Sequence, residues 1–403
     1  MVNGAGRTAR AGRVIVVGAG IAGLATALRC HQAGWNVLVV ERAPGRRSSG
    51  YLVNLLGYGY DAADRLGVLP ELTGRDIGAF TSVLVKADGR PKFAVPAELA
   101  QSALGSRAIT VFRGDLESAL FEAVRDIVPI RFGTTVHTVT QSADEVEVVL
   151  SDGTSERADL LVGADGVHSG VRELVFGPET DFRVDFRHLV AAFPLERVPQ
   201  DVPEGAGTTY IGPGRTAAVI NLGPGRSSAF FTYRDADPEA ELTKGPGRAL
   251  TTAFGDLGGG VPAVLRQLAA DPADAYFDSV SQITMDSWSR GRVVLVGDAA
   301  WCVTLFAGYG AALALTGADQ LGAALEAHGR DVPSALTHWE KPLRTEVRKR
   351  QALARKGMSQ YAPPSTAHVL ARELMIRAIR LPPLRKLVQR SVQRANARTT
   401  DRP

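Results

Sequence analysis

The sequence predicts an α/β fold in three parts: a discontinuous Rossmann-like nucleotide-binding domain, an inserted antiparallel-sheet domain and a C-terminal helical segment. Three observations carry this. A strand, a glycine loop, a helix and a second strand fit between Arg13 and Glu41, the size of a right-handed βαβ unit. Two later apolar strands each run into a Gly/Asp turn, at Gly163-Ala-Asp-Gly166 and Gly297-Asp298-Ala-Ala300. The segment between these turns changes character, with Gly-Pro-Gly-Arg at Gly212–Arg215, Gly223–Arg226 and Gly245–Arg248.

Taken in order, Arg13 to Val17 is a short β-branched strand, Leu24 to Gln32 has helical composition stopped by Ala33-Gly34, and Trp35 to Val40 is a second strand closed by Glu41. Arg46 to Asn54 reads as polar and turn-rich, followed by a helix from Tyr60 to Leu66. Leu116, Leu120, Phe121 and Val124 recur at three-to-four spacing and predict an amphipathic helix over Arg113 to Val128. Ile130 to Val139 and Val146 to Leu150 alternate like a hairpin, with a turn at Ser151-Asp152-Gly153, and Leu160 to Val162 is again a strand.

The first two Gly-Pro-Gly-Arg copies separate Thr208–Ile211, Ala217–Leu222 and Ala229–Tyr233, so they read as tight turns of an antiparallel meander, in preference to phosphate-cradling loops. Arg292 to Val296 restores a buried strand, and small residues from about Gly310 to Ala327 make a long helix. From Lys341 two helices are expected, broken at Pro363-Pro364 and kinked near Pro382-Pro383, with Leu370, Leu374, Leu381, Leu384, Val388 and Val392 on one stripe. The predicted division is 13–72, 101–180 and 279–340 for the nucleotide domain, 73–100 and 181–278 for the inserted domain, 341–403 for the basic tail and 1–12 for a flexible leader.

At 403 residues, 45% hydrophobic and 22% charged, the chain can bury a large core and is neither a disulfide-stapled miniature nor a disordered polymer. Its cysteines, Cys30 and Cys302, lie far apart without metal-ligand spacing, so no disulfide framework or metal site is expected. The small, basic Met1–Gly12 lacks the apolar stretch of a signal peptide, and no run approaches the ~18 apolar residues of a membrane span. A cytoplasmic monomer is the expectation.

Net charge is +4, but Lys341–Pro403 holds 16 Lys+Arg against 3 acids, leaving 30 of the 46 bases against 39 of the 42 acids before it. A basic tail suggests nucleic acid or anionic lipid. Tyr361 is its only aromatic, so base stacking has no platform there. An amphipathic helix docked on the acidic body is the preferred reading over a membrane contact.

In Gly18-Ala-Gly-Ile-Ala-Gly23, Gly18 permits the tight turn, Gly20 lets backbone approach a pyrophosphate, and Gly23 lets helix and strand pack closely. Glu41, 18 residues after Gly23, ends the next strand where an adenosine ribose 2′-hydroxyl would lie. An acid there disfavours a 2′-phosphate. The site should therefore hold FAD or NAD.

The second and third motifs separate those two. Ala164-Asp165-Gly166 continuing through Ser169 to Arg172, and Gly297-Asp298, lie about 146 and 279 residues from Gly18. With Gly18–Gly23 and Arg113, they resemble the FAD-dependent monooxygenases of the para-hydroxybenzoate hydroxylase type, single-component flavoprotein hydroxylases, over nearly the whole chain. Arg46–Asn54, Ser287–Arg292 and the long C-terminal helix are most similar to tetracycline-inactivating and polyketide-tailoring members. The resemblance implies a GR2-type FAD-binding domain contacting FAD through Gly18, Gly20, Ile21, Ala22, Gly23 and Asp165. It implies Glu41 on the adenosine ribose, Arg42 and Arg113 near the diphosphate and ribityl chain, and Asp298 on the ribityl hydroxyls. It places Gly308, Tyr309, Gly310 and Ala311 at the flavin N1/O2 edge, where a helix dipole would stabilise negative charge.

The implied activity is hydroxylation of a hydrophobic aromatic or polycyclic small molecule through a flavin C4a-hydroperoxide, with NAD(P)H as transient cosubstrate, in secondary metabolism or antibiotic modification. No second nucleotide fingerprint is present, as suits a transient NAD(P)H. Where the family carries His, Pro and Gln, this chain has Trp301, Leu305 and Tyr309. Leu305 and Tyr309 keep open an FAD-bound, non-redox cyclase on the same scaffold. Trp301 is either a substrate-facing plate or a packing aromatic, and His168 reads as a solvated turn residue. Phe230, Phe231 and Tyr233 are expected on the substrate-facing sheet, with Phe231, Tyr233, Trp301 and Leu305 as substrate contacts.

Overall fold

A computed structural model of the chain describes residues 12–46, 51–104 and 107–378. Its parallel sheet orders the strands Val293–Leu295, Leu160–Gly163, Arg13–Val17, Asn36–Glu41 and Ile130–Phe132, with Ser289–Arg290 antiparallel at one edge. The central strands are continuous apolar runs because both faces are covered: Val14, Ile15, Val16, Leu160, Leu161 and Val162 are wholly buried. The Ile21–Gln32 helix lies against the Gly310–His328 helix, and small residues make that approach possible. A Cβ on Gly322 would stand 2.3 Å from Arg29 Cγ.

The second sheet has seven strands: Tyr276–Ile283, Arg183–Pro194, Ser227–Arg234, Arg215–Asn221, Ala206–Gly212, Thr81–Val85 and Pro91–Val95. The Gly-Pro-Gly-Arg turns at 212–215 and 223–226 join its three consecutive meander strands. Ala206–Gly212 pairs parallel with Thr81–Val85, so the sheet is not wholly antiparallel as the sequence suggested. The third copy begins a helix, Pro246–Phe254, since Pro246 at the first turn has no N–H to leave unpaired. That helix and Val261–Ala270 cover one face of the sheet through Leu250, Phe254, Val264 and Leu268.

Three local expectations are corrected, two of them by long-range strand pairing. The supposed turn-rich segment Arg46–Asn54 runs at its end into a strand, Leu52–Leu56, paired antiparallel with Ala108–Phe112. The expected hairpin arm Ile130–Val139 is divided: Ile130–Phe132 joins the parallel sheet, while Val136–Gln141 pairs with Val146–Leu150 in a three-stranded meander completed by Ser155–Ala158. The tail helix begins at Val332, not Lys341, and runs 30 residues to Tyr361. Asp331 caps it by accepting the Ser334 N–H at 3.2 Å.

Trp339, Leu343, Val347 and Ala354 bury the inner face of this helix, so it is part of the core. The next helix, Thr366–Ala378, turns Val369 and Glu373 inward and leaves Leu370 and Leu374 exposed, contrary to the expected stripe. Leu381 to Val392, the Pro382-Pro383 kink and the leader up to residue 11 lie outside the described residues.

Candidate functional site

The carboxyl ends of the parallel strands open into a cavity of about 560 Å³ that continues to the inserted sheet. Its first end is the glycine loop. Gly18 has φ +104°, and a Cβ there would lie 2.5 Å from the Ala164 carbonyl oxygen, so only glycine makes this turn. Gly23 is equally constrained, since its Cβ would meet the Gly18 oxygen at 1.8 Å. It packs helix on strand and does not line the cavity. A Cβ on Gly20, by contrast, meets only Glu117 Oε1 at 3.9 Å, and Gly20 lines the cavity beside Ile21 and Ala22. A side chain at Gly20 would fill the cradle without disturbing the protein. Gly20 also precedes its helix with no side-chain cap, leaving the helix N-terminal N–H groups to an external acceptor.

Glu41 ties this end together. Its Oε2 accepts the Ala19 N–H at 2.7 Å and its Oε1 the Ala43 N–H at 2.8 Å, while the side chain lines the cavity beside the exposed Arg42. Arg113 begins its helix facing the cavity and pairs with Glu117 at 2.7 Å. Burial pushes the Glu117 carboxyl up, against the pull of Arg113.

Asp298 lines the cavity just after the Val293–Leu295 strand. Gly297 ahead of it has φ +63° and would place a Cβ 2.6 Å from the Ala22 Cβ, so the Asp298 strand end presses onto the glycine-loop helix. The Asp298 side chain is walled by protein, yet its exposed surface is cavity surface. Withdrawal from bulk water pushes its pKa up, and Arg113 opposes the shift. A carboxylate so placed is offered hydroxyl donors by any polyol chain in the cavity.

Asp165 also lines the cavity, but it accepts the Ser169 hydroxyl at 2.5 Å and the Val171 N–H at 3.1 Å. It thereby holds the start of the Gly170–Val175 helix. Gly308, Gly310 and Ala311 line the cavity at the N-terminus of the 19-residue helix Gly310–His328. Thr304, in the loop before them, sits at φ +79° with a buried hydroxyl that has no partner among the described residues. Backbone strain of this kind concentrates at working sites. Tyr309 does not line the cavity; its ring turns back against Tyr58 and beneath Arg350.

Leu305 lines the other end, with Val190 and Val280 of the inserted sheet. Three expected substrate contacts lie elsewhere. Successive strand residues face opposite ways, so Phe231 and Tyr233 point into the core beneath the Pro246–Phe254 helix, where both rings meet Phe254. Phe230 is the residue on the cavity side, in a cluster with Val190, Val280 and Phe306. Trp301 is 1% exposed and packs with Trp288 and Trp339 at ring separations of 4.6 and 5.9 Å, so it is a core aromatic.

His168 is an exposed residue at the cavity rim, 3.1 Å from Glu179 and 3.5 Å from Asp278, and Asp278 is the main cause raising its pKa. Sequence reasoning missed Tyr51, Tyr276, Asp278, Cys302 and Thr304, all of which line the cavity. Tyr51, just before the Leu52–Leu56 strand, meets Tyr276 of the seven-stranded sheet at 5.7 Å, a contact no local pattern encodes. His188 was missed as well. It shares the cavity-side face with Val190, sets its ring edge-on to Phe306 at 6.3 Å, and donates Nδ1–H to the Phe186 carbonyl at 2.6 Å. Burial holds its pKa below the usual histidine value.

An FAD binding domain model matches residues 12–341. The FAD-dependent monooxygenase asL4 of Sarocladium schorii is 31% identical over 340 residues, covering 78% of this chain and 76% of its own. Among solved structures, tetracycline destructase Tet(51) superposes with a TM-score of 0.77 at 25% identity, covering 96% of this chain and 97% of its own. HpxO of Klebsiella pneumoniae, complexed with FAD and uric acid, gives 0.75 at 25% identity, with coverages of 94% and 96%. The open cradle at Gly20, the uncapped helix end and the cavity-facing carboxylates of Glu41 and Asp298 suit a dinucleotide with a polyol linker. On the match over residues 12–341 and the kinship with asL4, the chain belongs to the FAD-dependent monooxygenases, with FAD as its cofactor.

Proposed function

We propose that the protein hydroxylates a hydrophobic aromatic or polycyclic small molecule, using NAD(P)H as a transient reductant and O2, in secondary metabolism or antibiotic modification. The carrying observation is the single cavity running from the glycine loop past Asp298 to the apolar wall of Val190, Val280 and Leu305. Bound FAD supplies hydride acceptance and oxygen activation. The neighbouring activities support a compact, multiply bonded substrate: Tet(51) is a tetracycline destructase and HpxO holds uric acid. Two free cysteines, Cys30 and Cys302, suit the reducing cytoplasm as the place of action.

In this reading the cofactor lies along Gly18, Gly20, Ile21 and Ala22, with Glu41 and Arg42 at the adenosine end, Arg113 and Asp298 along the ribityl chain and the Gly308–Ala311 backbone at the flavin edge. The sheet face around Phe230 and the loop of Leu305 and Phe306 orient the substrate ring and keep water away from it. His188, on the same sheet face as Val190 and edge-on to Phe306, braces this wall, its ring held by the Phe186 carbonyl.

The test is NADPH oxidation by the FAD-loaded protein against a panel of polycyclic phenols. At least one should accelerate oxidation well above the substrate-free rate. Conversion of a panel member without NADPH consumption would overturn this reading in favour of a non-redox cyclase.

A further inference from the structure

Arg350 lies beyond the 12–341 segment that matches the FAD binding domain. It sits on the inner face of the C-terminal helix Val332–Tyr361 and is only 2% exposed. Its guanidinium carbon stands 3.7 Å from the centre of the Tyr309 ring and 5.5 Å from that of Tyr58, and the two rings are themselves 6.3 Å apart at 28°. Nε donates to Glu346 at 2.5 Å, whereas Nη2 is buried with no hydrogen-bond partner among the described residues. A desolvated cation on an aromatic face is a strong, fixed arrangement. Tyr309 in turn precedes the Gly310–His328 helix, and its neighbours Gly308, Gly310 and Ala311 line the cavity.

We propose that Arg350 is a positioning residue through which the C-terminal helix fixes the Gly308–Ala311 turn and adds positive charge behind the flavin's N1/O2 edge. The inference rests on the proposed placement of that edge at this turn. Reduction of flavin leaves negative charge on its pyrimidine end, and a buried cation stacked on the residue that starts the Gly310–His328 helix favours the reduced form. Glu346 works against it: its carboxylate touches Arg350 and Lys349, at 2.5 and 3.7 Å, and offsets part of the field. The arrangement tunes the flavin from a helix that contributes nothing to the glycine fingerprint.

The experiment measures the midpoint potential of bound FAD in wild type, Arg350→Met, Arg350→Lys and Glu346→Gln, beside FAD affinity. Arg350→Met should weaken binding of reduced relative to oxidised flavin about tenfold, a fall of about 30 mV for a two-electron couple. Arg350→Lys should recover part of this by keeping the charge, and Glu346→Gln should shift the potential upward. Equal potentials in all four proteins, or a downward shift in both Arg350→Met and Glu346→Gln, would overturn the proposal. If Arg350→Met does not retain flavin, Arg350→Lys and Glu346→Gln still decide it by the sign of their shifts. Asp298→Ala serves as the control: undiminished FAD affinity there would contradict the placement of the flavin itself, whereas lost affinity with unmoved potentials defeats only the role of Arg350.

Discussion

The two ends of the cavity were encoded differently. At the nucleotide end, Gly18, Gly20 and Glu41 fall within one βαβ unit, and each residue's duty follows from its neighbours in sequence: a turn at φ +104°, an open cradle, a carboxylate closing the next strand. At the substrate end the wall comes from Val190 and Val280 on paired strands and from Leu305 on a distant loop, with Phe230 packed beside them. A ligand that many chains share can be held by a local motif, whereas a ligand particular to one chain is met by residues that only the finished fold assembles.

The largest expected effect breaks the nucleotide end alone. Gly20→Val should abolish flavin retention, because the new side chain occupies the space where backbone must approach the pyrophosphate. It should leave folding intact, since a Cβ at this position would meet no other residue nearer than the Glu117 Oε1 at 3.9 Å, leaving space on the cavity side for the branched side chain. Flavin-to-protein absorbance ratio and thermal melting check both halves.

That asymmetry governed what could be read beforehand. Gly297-Asp298 was legible because a strand ending in Gly-Asp before small residues is a local pattern, and the structure sets Asp298 in the cavity lining. Leu52–Leu56 was not, because its strand character depends on pairing with Ala108–Phe112 across more than fifty residues. Phe231 and Tyr233 were recognised as apolar residues of the right strand but assigned the wrong face. The alternation is visible in the sequence, yet which side the Pro246–Phe254 helix covers is decided by tertiary packing. Trp301 stands next to the Gly-Asp motif and still faces away, because Trp288 and Trp339 close around it.

The next prediction uses that alternation at the substrate end. Phe231→Ala removes a fully buried ring and should destabilise the protein by about 3 to 5 kcal/mol in denaturant unfolding, with substrate KM unchanged in the folded fraction. Phe230→Ala, one residue away on the cavity side, should raise KM while costing less stability. If the two phenotypes were exchanged, the assignment of faces would be wrong.

Asp298→Ala sharpens the comparison where the two ends meet. It removes charge-assisted acceptors worth roughly 1.5 to 3 kcal/mol each, so FAD affinity should fall at least tenfold by equilibrium titration. A smaller effect is expected from truncation after Met358, which deletes Tyr361 from its stack on Phe306 at 4.3 Å but removes no residue lining the nucleotide end. FAD content should persist in the soluble fraction while the response of NADPH oxidation to substrate falls. Full substrate response in that truncation would make the tail an independent appendage.

The central claim is that both ends of this cavity serve one oxygenation, and isotope transfer tests it most directly. The FAD-loaded protein should be supplied with NADPH, labelled O2 and the polycyclic phenol that most stimulates NADPH oxidation, and the product examined by mass spectrometry. The expected result is one labelled oxygen atom in the product for each NADPH consumed in its formation. A product free of the label, or one formed without NADPH, would contradict the claim.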